Sequence, residues 1–377
     1  MSTSRSKIAL VSDAVLPFHS GGKEQRIDHI AKALVTRGHA VHIYTMKWWP
    51  GRRKTYQHAG ITYHAISRLY PLYHGKRRSF LEGIMFGLAC LKLLWVDYDV
   101  LEVDHMPYFP LFSAKLVSLI RRKPFFATWH ETVGLQAWRH YIGYSAGTVA
   151  YVLERLSVKL PNHIIAVSDR TFAQTRTLLH YTGPMTLVSN GIDFGAIVKA
   201  PLAKQHSDVM YTGRLVRHKH VDVLIQAIAK LKTTQPRIKA VIIGDGPERQ
   251  RLEGLVHELG LEANVTLAGR IEDSNDVFAQ MKSSKVFVSP STREGFGITV
   301  LEAYACGLDV VTVNHPDNAA QFLVREGAGL VCELSADAIA ASIAQLLKVK
   351  RADKATVDAS VFDWEKSVQT LQEAYEL

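Results

Sequence analysis

The sequence predicts an α/β protein built from two Rossmann-like, doubly wound parallel-sheet domains, and three observations carry that prediction. The first is length: 377 residues exceed what one ordinary core organises, so two domains of roughly under 200 residues each are expected. The second is rhythm. From Lys7 onward, short runs of β-branched and apolar residues alternate with longer amphipathic stretches, the pattern of consecutive βαβ units. The third is an interruption: the rhythm pauses at the turn signal Asn190-Gly191, crosses a linker-like stretch from Pro201 to Ser207, and starts again.

Taken in order, the first domain (residues 1–192) has strands at Ile8-Ala9-Leu10-Val11, Val41-His42-Ile43-Tyr44, Ile61-Thr62-Tyr63, Val100-Leu101-Glu102-Val103, Phe125-Phe126-Ala127-Thr128 and Ile164-Ile165-Ala166-Val167. Helices are expected near Glu24 to Arg37, Leu81 to Leu94, Leu111 to Ile120, Thr148 to Leu160 and Arg170 to His180. The second domain (residues 193–358) repeats the pattern, with strands beginning at Val209, Ala240, Val265, Val286 and Val310. Its helices run from Val221 to Lys232, Glu248 to Leu259 and Ile298 to Cys306, where Gly307 stops the last one. Residues 359–377 are expected to form a turn and a final amphipathic helix that includes Trp364. Ligands of such sheets bind beyond the carboxyl ends of the strands, so the loops there are where chemistry is expected.

Bulk properties narrow the function classes. The longest apolar run, Gly83 to Leu91, is about half a membrane span, and Met1 to Lys7 lacks the apolar region of a signal peptide, so a cytoplasmic protein is expected. Cys90, Cys306 and Cys332 have no metal-ligand spacing and sit among apolar residues, as packed thiols do. The formal charge of +10 is uneven: residues 1–195 hold 24 Lys and Arg against 12 Asp and Glu, leaving 21 against 23 for the remainder. The excess concentrates in Arg52-Arg53-Lys54, Lys76-Arg77-Arg78 and Arg121-Arg122-Lys123, the first preceded by Trp48-Trp49. Basic clusters beside exposed aromatics suit an anionic membrane surface, and solvated basic loops are the plainer alternative. No nucleic-acid module accompanies them, so nucleic acid is not expected as a partner. Asp97-Tyr98-Asp99 has a metal-binding spacing but precedes its strand, at the wrong end of the sheet, and reads as a solvated turn; no metal site is expected.

The densest chemistry lies in Val286 to Gly307. A strand enters a loop carrying Glu294, Gly295, Phe296 and Gly297, and a helix begins at Ile298-Thr299. The free amides at a helix start, the helix dipole and the missing glycine side chains make an anion site there. Glu302 is the only charge between Ile298 and Leu308, and an acid on so apolar a helix is costly unless something hydrogen-bonds it, whether a ligand or a neighbouring backbone group or arginine. A second cationic loop, Gly213-Arg214-Leu215-Val216-Arg217-His218-Lys219-His220, follows the strand at Val209, and Arg214 with Lys219 suits phosphate oxygens. In the first domain, Gly21-Gly22-Lys23 opens a helix after the first strand. Asp104-His105 and Trp129-His130-Glu131 follow two later strands, and a histidine there is able to donate to a ligand hydroxyl or hold a charge near a leaving group.

Glu294 and Glu302, seven residues between them, resemble the Glu-x7-Glu signature of retaining, nucleotide-sugar-dependent glycosyltransferases of the GT-B fold, family 4 (group 1). The resemblance extends along nearly the whole chain. It implies two domains facing a cleft, a crossover near Asn190-Gly191-Ile192-Asp193, and a last helix returning to the first domain. It implies a hexosyl transfer from a nucleoside-diphosphate sugar, which is a substrate, with no cofactor. Arg214 and Lys219 would hold the diphosphate, as would the amides from Gly297 to Thr299; Glu302 would hold the ribose and Glu294 the transferred sugar. Gly295, Phe296 and Ile298 complete the donor loop, with Arg270 and Ile271 as base contacts. Gly21 and Gly22 would face the sugar phosphate, His130 the sugar's 6-hydroxyl, and Lys23, Asp104 and Glu131 the acceptor. The basic first domain favours a lipid-linked or phospholipid acceptor at the inner face of the cell membrane. Two other classes stay open at this point: a GT-B epimerase or phosphorylase, and a non-catalytic nucleotide-sugar or membrane-binding protein.

Overall fold

The computed structural model describes residues 5–19, 21–74, 77–349 and 357–376. Lys76 of the second basic cluster, Leu377 and the first four residues lie outside them. The chain forms two compact units, one comprising the segment through Asn190 together with the segment from Trp364 on, the other Gly191–Asp363.

The first unit contains β1 (Lys7–Val11), α1 (Gly22–Thr36), β2 (Ala40–Met46), β3 (Thr55–His58), β4 (Ile61–Ser67), β5 (Tyr73–His74), β6 (Arg77–Arg78), α2 (Phe80–Ala89), β7 (Val100–Asp104), α3 (Phe109–Arg121), β8 (Phe126–Trp129), α4 (Gly134–Ile142), α5 (Tyr144–Ser157), β9 (His163–Ala166), α6 (Asp169–Leu178) and β10 (Met185–Leu187). Its eight-stranded sheet has the order β10-β9-β8-β7-β1-β2-β4-β3. Alternation along a strand sends side chains to opposite faces. Ile8 and Leu10 of β1 meet Ile27, Ile30 and Leu34 of α1, while Ala9 and Val11 join the core that α2 and α3 cover through Phe86, Leu111 and Val117.

One edge differs from an all-parallel expectation. β3 pairs antiparallel with β4 through the two-residue turn Ala59-Gly60, both at positive φ (49° and 78°), as a tight hairpin requires. The hairpin also corrects the idea of exposed aromatics beside a basic cluster. Trp49 is buried, its indole donating to the Arg53 carbonyl at 2.8 Å and its ring near Phe18 and Tyr56. Trp48 is partly buried and donates to the Asp13 carbonyl at 2.8 Å. Both indoles find backbone acceptors and a core, so only Arg52, Arg53 and Lys54 of that cluster face solvent.

The second unit contains α7 (Phe194–Lys199), β11 (Ser207–Thr212), α8 (Val221–Thr234), β12 (Ala240–Ile243), α9 (Arg249–Glu258), β13 (Val265–Gly269), α10 (Ser274–Lys282), β14 (Ser284–Ser289), α11 (Ile298–Ala305), β15 (Asp309–Val313), β16 (Gly329–Cys332) and α12 (Ala336–Lys348). Its six strands are all parallel, in the order β13-β12-β11-β14-β15-β16. Val209 and Tyr211 face α8 and α12, and Met210 faces α10 and α11.

The last helix, α13 (Trp364–Tyr375), belongs to the first unit and packs on α1 through Trp364, Val368 and Leu371, with Trp364 stacked on His29 at 5.0 Å. Its Tyr375 hydroxyl donates to Glu102 in the middle of β7, a buried carboxyl that also accepts from Thr128 Oγ1 at 2.7 Å. Burial pushes the Glu102 pKa up, and these two donors oppose that shift.

Candidate functional site

Strand order locates two crevices, one in each sheet. In the second unit the chain builds outward from β11 through β12 and β13, then returns to place β14 on the other side of β11. The loops after β11 and β14 leave that junction in opposite directions, which opens a ligand crevice at their carboxyl ends. In the first unit the corresponding junction lies between β1 and β7.

At the first of these junctions two loops are laced together. Thr292 N donates to the His218 carbonyl at 3.0 Å, and His220 Nε2 stands 3.1 Å from Thr292 Oγ1. Glu294 is pinned through its backbone, N to the Asp317 carbonyl at 3.0 Å and its own carbonyl to Ala319 N at 2.9 Å. Its carboxylate accepts from Lys219 Nζ at 2.5 Å, both side chains being largely shielded. An ammonium has three donors, and Glu294 uses one. Arg214, on the same loop, is exposed, and its guanidinium has no partner among the described residues.

The start of α11 supplies the rest. Gly297 caps it at φ +96°, and no side chain caps the Ile298 and Thr299 amides. A Cβ on Gly297 would lie 2.5 Å from Ala320 Cβ, so the need for glycine there is set by backbone conformation and packing. Gly295 is exposed with open space where a Cβ would go, and that is the position where a ligand gains close access. Glu302 sits one turn along, half-buried, with no hydrogen-bond partner among the described residues; burial raises its pKa from 4.5 to about 7. Phe296, Ile298 and Ile271 pack against the surrounding core. Arg270 does not offer a free guanidinium: Nε lies 3.0 Å from Glu272 Oε1 on an exposed surface.

The first unit's crevice holds a buried charge network. Asp13, two residues past β1, accepts from both Lys23 Nζ and Arg78 and is fully buried. Lys23 also reaches the Met106 carbonyl at 3.3 Å and Asp104 Oδ2 at 3.5 Å. Burial alone lowers the Lys23 pKa, but Asp13 and Asp104 outweigh it and raise it. Asp104 is in turn 2.9 Å from His130 Nε2. Burial raises the Asp104 pKa, yet Lys23 and His130 together hold it well below the usual carboxylate range. Burial, then His130, keep the adjacent His105 pKa well down, and His105 Nδ1 accepts from His130 N at 3.3 Å. Glu82 completes the group: burial and then the nearby Asp13 push its pKa up to about 8.

The structure therefore joins Lys23, Asp104 and His130 in one network, and Glu294 with Lys219 in another. Glu131 is exposed and has no bond to the network among the described residues. Gly21 ends in extended backbone at the α1 N-cap, and Gly22 is exposed with open space around its Cα. Three members were not singled out from sequence. Asp13 stands two residues past the end of β1, and Asp104 is the last residue of β7, so both lie at carboxyl ends of parallel strands, which was a usable signal. Arg78 lies in a basic cluster expected on the surface, but its guanidinium is withdrawn into the Asp13 pair. Glu82 sits on an apolar helix where only the fold reveals its neighbours.

Comparison with known proteins gives a consistent result. Residues 20–195 match the family model Glycosyltransferase Family 4, and residues 196–360 match Glycosyl transferases group 1. A human phosphatidylinositol N-acetylglucosaminyltransferase subunit is 27% identical over 319 residues, 81% of this chain and 61% of that protein, so the match spans about three fifths of the relative. Among solved structures, sucrose-phosphate synthase from Thermosynechococcus elongatus superposes with a TM-score of 0.77 at 23% identity, covering 99% of this chain and 98% of that one. Anabaena HepE in complex with UDP and glucose superposes with a TM-score of 0.70 at 19% identity, covering 99% and 100%. These likenesses establish the fold as GT-B.

Proposed function

We propose that this chain, glycosyltransferase in sequence from residue 20 to residue 360, moves a hexosyl unit from a nucleoside-diphosphate sugar to an acceptor with retention of anomeric configuration. The observation that carries the reading is the Lys219–Glu294 pair at the sheet's switch point, flanked by uncapped helix amides and by Arg214 and Glu302, whose side chains have no partner among the described residues.

Cleaving the donor's anomeric bond builds negative charge on the diphosphate and positive charge on the sugar. Arg214, the two remaining Lys219 donors and the amides of Gly297, Ile298 and Thr299 stabilise the departing diphosphate in place of a metal ion. The free oxygen of Glu294 accepts from a hydroxyl of the transferred sugar. Glu302 accepts from the ribose hydroxyls, and Ile271 with the backbone at Arg270 borders the base. The acceptor hydroxyl attacks on the face the diphosphate leaves, and the departing diphosphate takes its proton. Trapping of a covalent glycosyl-enzyme would refute that step.

In the first unit, Asp104, held by Lys23, and the exposed Glu131 bind the acceptor. His130, tethered through Nε2 to Asp104, offers Nδ1 to a sugar hydroxyl. The human relative's name includes phosphatidylinositol, and a lipid-linked or phospholipid acceptor at the inner face of the cell membrane is the substrate class we assign.

The test is a panel of UDP-, GDP- and ADP-sugars in thermal unfolding. A donor at about 100 times its dissociation constant stabilises by about 2.7 kcal/mol. One donor should protect, and Arg214→Ala with Lys219→Ala should abolish the protection. Protection by none, with vesicles present, refutes the assignment.

A further inference from the structure

The helices α2, α3 and α5 all cover the same face of the first unit's sheet, contributing Phe86, Val117 and Tyr151 among others to one core. Their opposite sides are apolar as well. On α3 the outward stripe is Phe112, Leu116, Leu119 and Ile120, at the spacing of a single helical face, with Leu119 64% exposed. On α2 it is Phe80, Leu81 and Leu88, and α2 and α3 are drawn together by Gly87, where a Cβ would lie 2.7 Å from Phe109 Cβ. The 3-10 turn that follows α2, Cys90–Trp95, ends on Trp95 at 80% exposure. α5 repeats the pattern with Val149, Val152 and Leu156. A helix hydrophobic on both sides needs a second apolar environment.

Charge identifies that environment. The stretches 80–96, 109–123 and 134–160 hold eight lysines and arginines and only two carboxylates, Glu82 and Glu154. Both are buried, and Glu154 is used internally, accepting from the Val133 and Gly134 amides and from Trp138 Nε1 at 2.8–3.1 Å. Among the described residues, the outward faces of these helices therefore present cations and apolar groups but no acid. Cations border the apolar area: Arg122 is exposed, and Arg121 and Lys92 are fixed by bonds to the Leu94 and Ile66 carbonyls at 3.2 and 2.5 Å. No helix among the described residues is long and apolar enough to cross a membrane.

We propose that this face of the first unit rests in the headgroup region of an anionic lipid bilayer, with the α2 and α3 stripes and Trp95 inserted and the flanking cations against lipid phosphates. The inference deepens the lipid-acceptor reading by naming the surface that meets the membrane, a different surface from the Trp48-Trp49 hairpin.

Vesicle flotation of the full chain tests it, using phosphatidylcholine alone against phosphatidylcholine with phosphatidylglycerol. Wild type should float with the anionic vesicles, less so in high salt. Leu116→Glu with Leu119→Glu should weaken binding by about tenfold or more for each leucine, while Leu202→Glu, an exposed apolar position of the second unit, should not. Should the double variant fail to fold, brominated lipid should quench wild-type fluorescence more than that of Trp95→Phe. Absence of wild-type binding overturns the proposal, as does equal binding by the double variant. So does light scattering that shows the same substitutions dissolving a dimer, since the face would then cover a second copy. Nucleotide-sugar protection measured on the same samples separates the two readings: its survival without vesicle binding refutes only the surface, and its absence with vesicle binding refutes only the transferase assignment.

Discussion

Glu302→Gln should make the unliganded protein more stable at pH 8 and have a much smaller effect at pH 5. Burial raises the Glu302 pKa from 4.5 to about 7, so the folded state holds its proton more tightly than the unfolded chain does. Wherever the folded state binds more protons, stability falls as pH rises. The loss accumulates between pH 4.5 and about 7, at about 1.4 kcal/mol per pH unit, for a total of up to about 3 kcal/mol. The partial exposure of the side chain makes that an upper figure. Glutamine imitates the protonated acid and escapes the penalty. Thermal unfolding from pH 5 to pH 8 reads the difference, at roughly 2–4 °C per kcal/mol for a domain of 150–250 residues. Other titrating groups cancel in the comparison of variant with wild type. The two melting curves should diverge as pH rises to about 7 and keep a constant separation above it, and the variant should bind nucleotide more weakly because it loses a charged acceptor. Parallel curves across that range would refute the claim that burial alone governs this carboxyl.

Asp13→Ala leaves two partly buried cations without their shared acceptor, and loss of up to about 3–5 kcal/mol is expected in urea unfolding. Gly297→Ala must place a side chain at φ +96° against Ala320, and destabilisation of at least about 1–2 kcal/mol should appear in the same assay. Tyr375→Phe removes a donor from buried Glu102 and should cost about 1–3 kcal/mol, detectable as faster amide exchange in β7 and α13. Lys219→Ala should leave stability within about 1 kcal/mol, because the pair it breaks keeps some solvent contact, while donor protection in thermal unfolding is lost.

Much of the fold was legible because strands and helices are specified by local periodicity. The strand cores at Ile8, Val100, Val209 and Val286 are short runs rich in β-branched and apolar residues, and each is a strand in the structure. The Ala59-Gly60 hairpin was less legible, since Thr55–His58 is polar and pairs at an edge where no apolar pattern is required. The helix Gly134–Ile142 also escaped sequence reasoning, because its composition carries no cap signal. The residues of the donor loop could be named in advance because glycine, acid and helix start adjoin in the chain. Their partners could not. The Lys219–Glu294 pair spans 75 residues and the Asp13–Arg78 pair 65.

The sequence by itself determined the two α/β units, the strand-end loops and the kinds of group those loops carry, since such properties depend on spacing within one element. Only the tertiary structure decided which of the basic clusters stayed on the surface. Arg78 was drawn into a buried pair, Trp48 and Trp49 were packed under a hairpin, and the apolar stripes of α2, α3 and α5 were left facing outward. A side chain's charge and size are fixed by its identity, but whether it meets water, a counter-ion or a core depends on strands and helices that arrive from distant parts of the chain.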